Sequence, residues 1–191
     1  AAGAITLERY LDMLDGLSTT ASLGVRIDAA KTVVDGALDA LPLAGGRTLS
    51  TLNGEDEMAH ALATFVQRDS RVAHATLLKL RTLESALVRS SFFTRHAFLR
   101  TTMLLVFDDA ARENVDLKIM NFGTSYALPE GVSVTHCDPW GGSESCHEDG
   151  YLTGVRSLIQ VMNLVCTTLD DEEGVKGEAS LGDVSLNSLL K

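Results

Sequence analysis

His136-Cys137 and Cys146-His147 are the nearest approach in this chain to a metal-ligand pattern, a mirrored pair separated by eight residues. Two thiolates and two imidazoles could complete a tetrahedral zinc site. The spacing matches no standard finger and adjacent ligands are geometrically awkward, which weighs against zinc. His60, His74 and His96 have no partners at catalytic spacing and read as surface or helix-face residues. Asn121, in Asn121-Phe122-Gly123, could offer a neutral amide oxygen to a cation, although magnesium favours carboxylates together with phosphate and water. The planar fork of Arg26 suits phosphate. The competing reading is a strand arginine in a surface ion pair with one of the many carboxylates. Thr101 and Thr102 could approach a metal or nucleotide, but threonine in a strand more often satisfies β-propensity alone. Asp149-Gly150 reads as the start of a helix, with capping outweighing a metal role. Trp140, after Pro139, reads as a packing anchor.

The elements that must position these groups follow from periodicity. Ile5, Leu7, Tyr10, Leu11 and Leu14 have helical spacing that ends at Gly16. Residues 18–27 read as a polar turn running into a short strand. Residues 29–43 could form a hairpin about Asp35-Gly36, and residues 42–46 a loop. Asn53 could cap a helix whose apolar face is Met58, Leu62, Phe65 and Val66. A second helix is expected over 70–88, with Val72, Leu80, Leu83 and Leu87 inward. Strands are expected over 99–107 and 116–120, joined around Asp108-Asp109. An amphipathic helix is expected over 151–166. From Asp170 the chain is acidic with Gly and Ser, so the reading expects a tail that is disordered or pinned by a partner.

The 191 residues suffice for one domain, and 45% hydrophobic with 22% charged residues is ordinary for a globular chain. The net charge is −10, and Lys plus Arg total 16. That balance argues against nucleic acid or an anionic membrane as a partner. No stretch reads as the ~20 consecutive apolar residues of a membrane span. Three cysteines make no disulfide framework, so a reducing, intracellular setting is expected, its compartment left open. The chain opens on Ala1 without a signal-peptide pattern, and a removed targeting segment would leave no trace.

Several segments in order resemble one family. They are Ser18-Thr19-Thr20, Leu23-Gly24-Val25-Arg26-Ile27, Gly46-Arg47-Thr48-Leu49-Ser50 and Phe65-Val66-Gln67. Then come Phe92-Phe93-x-Arg95-His96, Thr101 through Asp108, Asn121-Phe122-Gly123 and Leu128-Pro129-Glu130-Gly131. Pro139-Trp140 and Glu148-Asp149-Gly150-Tyr151-Leu152-x-Gly154 complete the set. The pattern resembles the C-terminal half of the inositol polyphosphate kinases, nearest the trisphosphate 3-kinases, over roughly residues 5–168.

The resemblance implies an α+β lobe over 1–169, with a central antiparallel sheet flanked by helices, followed by an acidic tail over 170–191. It places Arg26 and Arg47 at the inositol phosphate, and Thr101 and Thr102 near metal or nucleotide. It sets Asn121 where the family's Asp holds the magnesium that bridges ATP phosphates, and Thr124 where the 3-kinases usually carry Lys. The family's Asp-x-Lys-x-Gly signature and ATP-binding lobe would lie upstream of residue 5. Asp116-Leu117-Lys118 has no following Gly and does not replace the signature. The expectation is a catalytically degenerate lobe, a structural or interaction subunit with protein partners and an inositol phosphate as a further possible ligand. No cofactor is then expected for this chain. The alternative is an active kinase whose N-lobe lies upstream, using ATP and magnesium.

Overall fold

The computed structural model describes residues 13, 15–34, 37–43, 48–138 and 147–188, with side chains to 175. The element order begins with a helical turn, α1 (Thr20–Leu23), and a hairpin of β1 (Lys31–Val34) and β2 (Ala37–Ala40). Helices α2 (Gly54–Phe65) and α3 (Ser70–Arg89) follow, then β3 (His96–Phe98), β4 (Thr102–Phe107), β5 (Val115–Met120) and β6 (Ser125–Ala127). Helix α4 (Tyr151–Ser188) ends the fold.

Local chemistry accounts for most of these boundaries. The β1–β2 register, Lys31 against Ala40 and Val34 against Ala37, leaves two residues between the strands, as the Asp35-Gly36 signal requires. Asn53 stands at the N-cap of α2 without a side-chain cap bond; its backbone N–H donates to the Glu57 carboxylate instead, at 2.8 Å. Glu55, Asp56 and Glu57 complement the positive end of that helix. Asp69 caps α3 by accepting from Arg71 N at 3.0 Å. The Arg71 side chain, by hydrogen bonding Asp69, lowers that carboxyl's pKa. Gln67 and Arg68, both at positive φ, turn the chain between the two helices.

The core lies where α2, α3 and α4 meet. Met58, Val66, Val72, Leu80, Met162 and Leu169 are fully or almost fully buried there. Met103, Leu105, Phe107 and Leu117 lay the inner face of β4 and β5 on the same cluster. By length and composition, α4 could cross a bilayer over Tyr151–Val175, but half of its most apolar window is buried inside the protein.

Three expectations about strands are corrected. The sheet is not one central sheet: among the described residues it is three two-stranded antiparallel ladders, β1–β2, β3–β6 and β4–β5. The last two are halves of one long ribbon, since residues 96–107 run against 115–127. Arg100 (φ 55°) and Asn121 (φ 63°) break both strands of that ribbon, so the strand expected from Leu99 begins at Thr102. Residues 25–27 are in no ladder; the Thr19 hydroxyl holds this stretch by donating to Val25 O at 2.7 Å. The acidic stretch after Leu169 continues α4, with Asp170 against His74 and Glu172 against Arg68. Leu169 is nevertheless the last buried side chain among those described.

Candidate functional site

The joint in the ribbon gathers the residues singled out at Thr101, Thr102 and Asn121. Asn121 leaves β5 in the left-handed region (φ 63°, ψ 52°), which a short amide tolerates better than most side chains. From there its Nδ2 donates to Thr102 Oγ1 at 2.7 Å, across the ribbon. The Thr124 hydroxyl donates to Leu99 O, closing the joint on its other side. Thr101 bonds the phenol of Tyr151, whose pKa burial raises while the Thr101 bond pulls it down. Phe122 rests edge-on against Phe98, with ring centres 6.1 Å apart.

Arg26 reaches the same region through Asp15. Its Nη1 donates to Asp15 Oδ1 at 2.7 Å and its Nε to Asp28 Oδ1 at 2.7 Å. The hydrogen bond to Asp28 is the leading reason its pKa is raised. Arg100, whose positive φ breaks the ribbon, donates to the other Asp15 oxygen at 3.0 Å. Arg26 is thus in the ion pair that was the alternative to a phosphate contact, and one carboxylate ties two arginines to the joint. Arg47, the other expected phosphate contact, lies outside the described residues. Nothing in the sequence marked Arg100 or Asp15; the only signal was an arginine directly before Thr101-Thr102.

This donor set does not by itself suit magnesium. It offers one neutral amide and two hydroxyls, and both hydroxyls already have partners. No group of three or more His, Cys, Asp or Glu that could hold a metal occurs among the described residues. The joint lacks the carboxylate charge that magnesium usually takes from its protein ligands.

The zinc alternative fails at His136, whose two ring nitrogens are both engaged. Nε2 faces Phe93 O at 2.8 Å, so it must donate. Nδ1 faces both oxygens of Asp149, at 2.8 and 2.9 Å. Asp149 also accepts from Phe98 N at 2.7 Å and from Tyr151 N at 3.0 Å, the second being the expected capping bond. The two side chains are 1% and 0% exposed. His136 O in turn accepts from Leu152 N at 2.8 Å, fastening the start of α4. Cys137 contacts Arg156 and Thr135, while Cys146, Pro139 and Trp140 lie outside the described residues. Sequence reasoning missed this hub because its two members are thirteen residues apart and each had a plausible local role.

Two of the quoted motifs meet backbone to backbone. A Cβ built on Gly154 would lie 2.5 Å from Gly24 O, and Gly24 itself sits at φ +69°. The Leu-Gly-Val-Arg-Ile segment therefore crosses the first turn of α4 with no room for a side chain.

The profile of the family described as inositol polyphosphate kinase matches residues 5–163. Human inositol-trisphosphate 3-kinase A is 32% identical over 159 residues, 83% of this chain and 32% of that protein. The Caenorhabditis elegans inositol-trisphosphate 3-kinase homolog is 32% identical over 84% of this chain and 30% of its own length. Human inositol-trisphosphate 3-kinase C is 30% identical over 83% of this chain and 22% of its own length. The chain thus spans at most about a third of the length of these relatives. The match runs from before the Arg26 segment through the ribbon joint to the crossing of Gly24 with Gly154, and on that ground the chain belongs to the inositol polyphosphate kinase family.

Proposed function

We propose that this chain is a catalytically silent lobe of inositol polyphosphate kinase type, retained as an interaction subunit of a larger assembly. One observation carries the reading: at the position that the resemblance assigns to the magnesium-binding Asp stands Asn121, its N–H committed to Thr102. Phosphoryl transfer relies on metal ions and cations to neutralise charge on the transferred group. A neutral amide removes one unit of negative charge from the metal's surroundings, and Asp15 and Asp28 answer the charge of Arg26. Both changes act against binding a magnesium–polyphosphate complex. The test is phosphate transfer from ATP to inositol phosphates by the natural gene product, purified from its source with magnesium present. No transfer above the enzyme-free rate is expected; transfer that follows the protein through purification would overturn the reading.

A second reading, an active inositol phosphate kinase using ATP and magnesium, is favoured by one feature. The Asn121 Oδ1 has no partner among the described residues and could ligate a cation, as an Asn does at the second metal of protein kinases. That reading expects Asn121→Ala to abolish measurable transfer.

A further inference from the structure

We propose that the surface formed by Arg89, Phe92 and Arg95 docks an acidic segment of a partner protein that carries apolar side chains. Most arginines in the described structure are already neutralised. Arg26, Arg68, Arg71, Arg100, Arg112 and Arg156 each pair with a carboxylate. Arg81, Arg89 and Arg95 do not: among the described residues Arg81 donates to the Asn163 amide oxygen at 2.8 Å, Arg89 to the Ser85 hydroxyl at 2.7 Å and Arg95 Nε to Ser91 O at 3.0 Å. Each keeps guanidinium donors free in a chain whose net charge is −10. Arg89 and Arg95 belong to a stretch, residues 85–107, that contains no Asp or Glu at all. Glu84, the nearest carboxylate before it, is held by Arg156 at 2.8 Å.

Between Arg89 and Arg95 lies Phe92, 57% exposed. Its ring stacks on His96 at 3.8 Å and meets Phe98 at 6.1 Å; Phe98 then meets Phe122, itself 49% exposed. Phe98 itself is buried, so the exposed surface is the Phe92 ring, with Arg89 and Arg95 on either side of it in the chain. Aromatic and arginine side chains together are the composition of interface hot spots, while rim charges select the partner. Local positive charge on an otherwise acidic protein selects an acidic partner, and the exposed Phe92 ring selects one with aromatic or aliphatic side chains. This surface deepens the interaction-subunit reading above and rests on it.

The test titrates the full chain into a fluorescein-labelled peptide of alternating glutamate and leucine with one tryptophan, followed by anisotropy. Saturable binding is expected, weakening as salt is added. Arg95→Glu and Phe92→Ser should each weaken it about tenfold or more. Arg89→Glu, at the exposed end of α3, is the further variant should Phe92→Ser fail to fold, and thermal melts monitor folding. A peptide with lysine in place of glutamate should not bind. The proposal is overturned by no saturable binding, by equal binding of the folded variants, or by tighter binding of single-stranded RNA or phosphatidylserine vesicles. Displacement of the peptide by equimolar inositol hexakisphosphate would also overturn it, assigning the arginines to polyphosphates. Peptide binding together with ATP turnover would leave the surface standing and remove the silent-lobe reading. Neither binding nor turnover would do the reverse.

Discussion

At position 121 a carboxylate would fit the existing backbone. Asp tolerates the left-handed region about as well as Asn, and the Thr102 hydroxyl can donate as readily as it accepts. Asn121→Asp should therefore leave unfolding free energy within about 0.5 kcal/mol of the parent, measured by urea denaturation. A loss several times larger would mean that the amide N–H, and not the backbone, holds the ribbon joint. Cys166 makes a prediction in pH. Burial raises its thiol pKa from 9.0 to about 11. Below the lower value the thiol is protonated in both folded and unfolded chains and contributes no pH dependence. Between the two values the unfolded chain loses the proton that the folded chain keeps, so stability falls as pH rises. The drop in urea midpoint from about pH 8 to about pH 10 should be smaller in Cys166→Ala than in the parent. An equal drop would locate the titration elsewhere. The sequence made Asn121 conspicuous, because the motif around it fixed what should stand there. It left Arg100 and Asp15 unmarked, because an ion pair across eighty-five residues leaves no local pattern.

The elements that could be read were those whose signals are local. The β1–β2 hairpin was legible through Asp35-Gly36, and α3 through its repeating apolar face. Strands β3 and β6 were not: each has three residues, too few for alternation to register, and they pair across twenty-six intervening residues. What fixes β3 is the buried His136–Asp149 pair, through the bond from Phe98 N to Asp149. Asp149→Ala would leave that N–H, the Tyr151 N–H and the imidazole without their acceptor. Breaking a buried pair from one side costs about 3–5 kcal/mol, and calorimetry of the variant checks it; a change below 1 kcal/mol would deny the hub its role. At the crossing of α1 with α4, Gly154→Ala must displace the Gly24 carbonyl. The expected cost is about 1–3 kcal/mol or more, read from the same melts. Gly123→Ala, whose added Cβ meets nothing within 4 Å, is the control and should stay within about 0.5 kcal/mol.

Across the whole molecule the dominant electrostatic fact is the net charge of −10, with many of its arginines committed one by one to carboxylates. Self-repulsion of the excess acid should outweigh these half-exposed pairs, each worth little. Raising salt from about 0.01 to about 0.15 M should therefore raise the melting temperature. A fall would show that the pairs dominate instead. Where the resemblance implied one central sheet stands a jointed ribbon, because two positive-φ residues, one on each strand, reset the chain at the same level. Neither torsion is encoded by glycine, so neither could be read. Helix α4 runs past its expected end, with Asp170 beside His74 and Glu172 beside Arg68. The crossing of Gly24 with Gly154 bears on how such a protein changes over generations. When two backbones touch and both positions already carry the smallest residue, no second mutation can compensate for enlarging either one. A side chain at either position must move a backbone to fit, so both should stay glycine whatever else in the chain changes. The ancestry of the fold then stays written where one backbone's carbonyl rests on another's glycine.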